Sequence, residues 1–302
     1  MIIRKDLCIK FCALLFTDML EYIKTVIIAF ISSVFAPVAA SSSAHFVLFE
    51  NILSFSKTKE ESAFYYSIIS VIFSLVSMFF VRKIYKKGFI VVFGKKKKTD
   101  NMKTYKTMMK GILVSLVPCV LMLIPVSSEK IVLDYFTDYL WKNNILVSAF
   151  CCFAMGFVLL IAAWFTKQKS IDKHRNSTLT DVARITVYQT ISYIFPGLSP
   201  VSLSATGLIV GGVEESVIIR DVLIYTSPSL FLISIMRLVK TSLTLIEFDI
   251  IKIAICVLSA VAGTVLMLNI VSKVNIKKSF LFFSVYSVLF GLFMIIASLF
   301  IL

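Results

Sequence analysis

The chain is short of most things a soluble enzyme uses. Acidic residues number 17 against 31 Lys and Arg, and there are two histidines in 302 residues. Six cysteines occur, Cys8, Cys12, Cys119, Cys151, Cys152 and Cys256, none at the spacing of a zinc or redox motif. Nearly all sit in apolar stretches, where they read as small buried hydrophobes. There are six prolines and ten glycines, so a break in a helical pattern is rare and informative. The N-terminal MIIRKDLCIKFCALLF has a basic start and a short apolar run, but TDMLEYIK follows instead of a small-x-small cleavage site. It therefore reads as a retained segment.

What is abundant is apolar sequence. Hydrophobic residues make up 59% of the chain, and the mean hydropathy of +0.94 excludes an ordinary globular composition. Ala63–Val81, Gly111–Val126, Ile145–Phe165, Val222–Ile235, Ile253–Val271 and Phe280–Leu302 each approach the ~20 residues a helix needs to cross a bilayer. Leu7–Leu53 is apolar but interrupted by Asp18, Glu21, Lys24 and a serine run. The expectation is an all-α, polytopic membrane bundle with roughly eight to ten embedded segments.

The net charge of +14 would suggest nucleic acid in a soluble protein, but its distribution argues against that partner. Basic residues gather at 82–110, including Lys95–Lys98, and again at 166–184. The loop between them, Ser127–Asn144, is balanced by Glu129, Lys130, Asp134, Asp138 and Lys142. Basic, neutral, basic is the positive-inside pattern and puts the two basic loops in the cytoplasm. The Lys95–Lys98 run also fits an anionic-lipid contact.

Two stretches break the apolar pattern in the same way. FAPVAASSSAHF, Phe35–Phe46, and PGLSPVSLSATG, Pro196–Gly207, both run from apolar residues to proline, then small residues, then serines, then apolar residues again. Proline removes an amide donor and disfavours helix just before itself, and serines can satisfy the groups so freed. One reading is two unrelated kinks whose serines pack between helices. The other is a pair of broken helices in an inverted-topology repeat, whose half-helix N-termini meet near the midplane and face an anion. On that second reading one membrane domain divides into a repeat at about 1–127 and another at about 145–302.

These residues resemble the undecaprenyl-diphosphate phosphatases of the bacitracin-resistance type. The family's Phe-Leu-Pro-Val-Ser-Ser-Ser-Gly-His is met by FAPV, an extra AA, and SSSAH; its Pro-Gly-x-Ser-Arg-Ser-x-x-Thr is met by PGLSPVSLS. Gly212, Val213 and Pro228 stand where the family has a later Gly-Val and proline. GFVLLIAAW, Gly156–Trp164, and FSVYSVLFG, Phe283–Gly291, resemble two further family segments. The resemblance implies a bacterial inner-membrane bundle with two re-entrant hairpins, acting on a C55 polyprenyl diphosphate with a divalent cation, Mg²⁺ or Ca²⁺. It implies catalytic positions at Ser42, His45, Ser199 and Ser204, and substrate contacts at Ser41, Ser43, Gly197, Ser202 and Thr206.

The chain departs from the family where charge is needed. Phe30 and Val34 stand for its glutamate pair, Pro200 and Val201 for the Arg-Ser of the second motif, Ser287 for the C-terminal arginine, and Gln189 lies one residue out of step. Phosphoryl transfer requires positive charge on the phosphoryl oxygens and groups that hold a metal or move a proton. Glu50, Glu214, Glu215, Arg220 and Asp221 are the ionisable residues that could replace them, while Asp18, Glu21 and Lys24 have the spacing of an interfacial pairing. Hydrolysis of the diphosphate, or a non-enzymatic binder, carrier or protector of the lipid, are the two main expectations; a small-solute transporter is a third.

Overall fold

The computed structural model describes residues 2–38, 40–93, 102–127, 130–135, 144–168, 177–244, 249–274 and 276–301. The helices are Ile2–Phe35 (α1), Ser42–Leu53 (α2), Lys59–Phe80 (α3), Arg82–Phe93 (α4), Met102–Ser115 (α5), Val117–Met122 (α6), Asn144–Gln168 (α7), Leu179–Ile194 (α8), Pro200–Val210 (α9), Glu215–Thr244 (α10), Ile250–Val271 (α11) and Ile276–Ile301 (α12). Among the described residues the only other regular feature is an isolated bridge between Pro125 and Ile131. Six stretches are long and apolar enough to span a bilayer: 59–80, 104–122, 145–164, 216–244, 250–271 and 280–300. The chain is an all-α, multi-pass membrane bundle.

Local chemistry sets the helix limits. Thr58 caps α3 by accepting from the Glu61 amide, with Glu60 and Glu61 in the first turn where the helix dipole favours them. Thr178 and Asp181 form a reciprocal capping box at the start of α8. Some hydroxyls inside the spans turn back on their own helix, as Ser67 does to the Ala63 carbonyl and Ser284 to the Leu281 carbonyl. Pro228 interrupts α10 and has no amide to give the Ile224 carbonyl four residues earlier. Tyr85 of α4 donates its hydroxyl to that carbonyl at 2.8 Å instead.

The long helices pack in pairs, α7 with α12, α3 with α10, α1 with α11 and α5 with α8. Glycines let backbones approach in the first pair: a Cβ on Gly156 would lie 2.6 Å from the Val288 amide, and one on Gly291 would lie 2.6 Å from the Phe153 amide. These are the two segments, 156–164 and 283–291, that carried the family resemblance outside the breaks. Outward faces are apolar, as at Leu258 in the middle of α11, which is 70% exposed.

Polar contacts along α10 sort the loops. Near its start Asp221 accepts from Ser177 and the Ile224 carbonyl from Tyr85; near its end Lys240 pairs with Asp134. The basic segments around residues 85 and 177 therefore sit at one end of the bundle and the balanced segment around residue 134 at the other, as the charge alternation requires. Lys95–Lys98, Lys169, Lys173, Arg175, Glu129, Asp138 and Lys142 lie outside the described residues.

Candidate functional site

Both apolar breaks fold alike. After Phe35, Ala36 to Val38 make a turn and Ser41, extended at φ −88°, ψ 107°, caps α2 by accepting from the Ala44 amide at 3.1 Å. After Ile194, Phe195 is extended ahead of Pro196, and Ser199, at φ −96°, ψ 122°, caps α9 by accepting from the Ser202 amide at 3.2 Å. Pro200 stands in the first turn of α9, where its missing N–H costs nothing. Two short helices thus begin inside the bundle, each from a serine cap.

The breaks touch. The Gly197 amide donates to Ser43 Oγ at 3.0 Å, and Ser43 Oγ lies 3.1 Å from Ser41 Oγ. From the other side Ser202 Oγ donates to the Val38 carbonyl at 3.4 Å. Gly197 adopts φ +91°, and a Cβ there would lie 2.3 Å from the Ser148 carbonyl of α7. Only glycine fits this turn, for conformation and for space. Ser41, Ser43, Gly197 and Ser202 accordingly form one buried polar junction, into which the positive ends of two helices converge.

The remaining expected residues face elsewhere. Ser42 donates to the Ser32 carbonyl of α1 at 2.7 Å. His45 is buried with its ring stacked between Phe35 and Phe290, at centroid distances of 3.7 and 4.0 Å. Its Nδ1 donates to the Ser41 carbonyl at 2.5 Å, which leaves Nε2 of the neutral ring to accept from the Tyr286 hydroxyl at 2.6 Å. Ser204 turns toward α10 and accepts from Thr226 Oγ1 at 3.2 Å. Thr206 donates back to the Ser202 carbonyl at 3.0 Å.

Residues that the sequence reading missed complete this region. Ser204 opens a buried hydroxyl and amide chain: Thr226 accepts from Gln189 Nε2 at 2.8 Å, Gln189 Oε1 accepts from Ser229 at 3.2 Å, and Ser229 meets the Tyr193 hydroxyl at 2.9 Å. Gln189, out of step in the sequence, is fully inside this chain. On the side of the first break the Tyr66 hydroxyl stands beside those of Ser42, Ser43 and Ser70. Short polar residues inside apolar runs were the available clue for Thr226 and Ser229. Tyr286 is the tyrosine of the FSVYSVLFG segment that carried the resemblance, whereas nothing in the sequence marks Tyr66.

Among the described side chains no candidate carboxylate is drawn into the junction. Glu50 is bonded by Ser56, Glu214 by Ser216, and Asp221 by Ser177 and Arg220. Glu21 pairs with Lys24 at 2.7 Å, as the spacing suggested; the side chains of Asp18 and Glu215 lie outside the described residues. Phe30 and Val34 bring their backbone against Gly263 of α11, a close helix contact and not a ligand set. Among the described residues no group of three or more His, Cys, Asp or Glu side chains is placed to hold a metal ion. A hard divalent cation takes carboxylate oxygens, so the donors present do not fit one. Beside the junction lies a small apolar pocket of about 40 Å³, lined by Pro37, Val38, Ser202, Val222, Val271 and Phe283.

Residues 18–293 match the family model described as bacitracin resistance protein BacA. The chain is also similar to the undecaprenyl-diphosphatase of Lachnoclostridium phytofermentans, at 21% identity over 276 residues, covering 91% of this chain and 96% of that protein.

Proposed function

Because the chain belongs to the bacitracin resistance protein BacA family, we propose that it binds the headgroup of a polyprenyl phosphate or diphosphate within a bacterial inner membrane. The observation that carries this reading is the bond from the Gly197 amide to Ser43 Oγ, which makes one polar site out of two broken helices. Helix N-termini attract anions through their amides and dipole, and the clustered hydroxyls supply further donors.

Recognition without hydrolysis is the form of this function that the residues support best. His45 spends both nitrogens on Ser41 and Tyr286, so it has none to offer as a general base. Ser199 is occupied as a helix cap. Among the described residues the donor set does not fit a resident divalent cation. Hydrolysis to the monophosphate is the second reading, favoured by the name of the Lachnoclostridium relative.

The helix pairing also supports an internal repeat. The packing of α1 on α11 is mirrored by α8 on α5, and α3 meets α10. We therefore take α1, α2 and α3 as the counterparts of α8, α9 and α10, which moves the start of the second copy from residue 145 to Leu179.

The test is phosphate release from C55 diphosphate by the purified protein, with and without Mg²⁺ or Ca²⁺, alongside binding of the same lipid. Binding without release is the expected result. Metal-dependent release that is lost in a Ser199→Ala, His45→Ala double variant would establish hydrolysis in its place. Absence of binding would remove the lipid from the reading altogether.

A further inference from the structure

α10 carries one guanidinium inside its span that no carboxylate answers. Arg184 reaches Asp181, Arg220 reaches Asp221, Lys240 reaches Asp134 and Lys252 reaches Glu61. Arg237 has no acidic side chain within 4.0 Å among the described residues. The side chain as a whole is half-buried. Nη2 donates to the Tyr193 carbonyl at 3.0 Å; Nε is buried and has no hydrogen-bond partner. A buried, unused donor on a cation is costly in a protein interior and more so within a bilayer.

One structural role accounts for part of this. The Tyr193 carbonyl lies in the last turn of α8, where a cation is favourable. That role uses one of five donors and leaves Nε unexplained. An anion accepting from Nε–H and a neighbouring donor in the two-point fashion of guanidinium would complete the group.

The surroundings place that anion at the junction. Tyr193 lies in the last turn of α8, three residues before Pro196, and Tyr66, which interacts electrostatically with Arg237, stands beside the Ser42 and Ser43 hydroxyls. Ser43 in turn holds Gly197. Neither break contributes a basic residue, since 35–46 and 196–207 contain no Lys or Arg. We propose that Arg237 is the cation of the anion site, binding the phosphoryl oxygens of the ligand through Nε–H and its remaining Nη protons. This rests on the lipid-phosphate reading above for the identity of the ligand, but not for the charge of the group bound.

The test follows the Arg237 Nε–H resonance in ¹⁵N-arginine-labelled protein, assigned by its loss in Arg237→Gln. Undecaprenyl phosphate, undecaprenol and inorganic pyrophosphate are titrated separately. The expected result is a shift with undecaprenyl phosphate and none with undecaprenol. Arg237→Gln should then bind undecaprenyl phosphate about ten- to hundredfold more weakly, with undecaprenol unaffected and Arg237→Lys intermediate. An unmoved resonance with unchanged affinity in Arg237→Gln would overturn the proposal while leaving lipid binding in place. A shift with pyrophosphate in a protein that binds no undecaprenyl phosphate would keep the anion site and discard the lipid. No shift with any anion would discard both. If Arg237→Gln folds poorly, Arg237→Lys assigns the resonance and the wild-type titration then decides the matter.

Discussion

At the scale of the residue, His45 and Gly197 are fixed by what surrounds them. His45 is clamped by two rings and two hydrogen bonds. Replacing it with phenylalanine keeps the stack and leaves the Ser41 carbonyl bonded to the backbone amide of residue 45, but removes the acceptor of the Tyr286 hydroxyl, so His45→Phe should cost about 1–3 kcal/mol of stability. Affinity for polyprenyl phosphate, measured by calorimetry in detergent, should stay within about twofold of wild type. A tenfold loss of affinity at unchanged melting temperature would instead put the ring in contact with ligand. Gly197 combines φ +91° with the approach of Ser148, so Gly197→Ala should destabilise by about 2–4 kcal/mol, read from denaturant unfolding in detergent. An alanine variant as stable as wild type would show that the loop can move away from α7.

At the scale of the element, the breaks are short helices started by serine caps. Ser41→Ala and Ser199→Ala should each cost about 1 kcal/mol, since each removes the acceptor of one first-turn amide. Their effects should fall short of simple addition when combined with Ser43→Ala, because the interactions through Ser43, which links the first cap to the second break, are lost only once. A double-variant cycle checks this, and strict additivity would mean that the two breaks act separately. The proline-then-serine order of both breaks was legible in the sequence, and so was the helical start after each. The direction in which each hydroxyl points was not. Ser42, Ser204 and Thr206 belong to the same motifs as Ser43 and Ser202, yet one turns to α1, one to α10 and one to its own helix. Side chains spaced along a helix face different neighbours, and a linear motif does not state which neighbour is there.

At the scale of the whole molecule, α10 works as a ruler. Tyr85 and Ser177 bond to its first part and Asp134 to its last, which sets the basic and balanced segments at opposite ends. Single cysteines at Lys86 and Lys130 in a background without native cysteines should therefore label from opposite sides of the membrane with an impermeant maleimide. Labelling of both from the same side would contradict the charge-based orientation.

Composition and spacing alone determined that this chain is a multi-pass α-helical membrane protein, that its ends alternate by charge, and that it carries two matching breaks. Those follow from the length of apolar runs, the cost of unsatisfied backbone in lipid, and the few prolines, all local properties. Only the tertiary structure decided that the breaks meet through Gly197 and Ser43, that His45 is stacked and spent, and that Gln189 joins Ser204 to Tyr193. It also decided that Arg237, an ordinary arginine near the end of an apolar run, bonds the Tyr193 carbonyl with a buried Nε left over and no acidic partner among the described residues. Each of these depends on residues tens to hundreds of positions apart coming within about 3 Å, the range over which hydrogen bonds and ion pairs act.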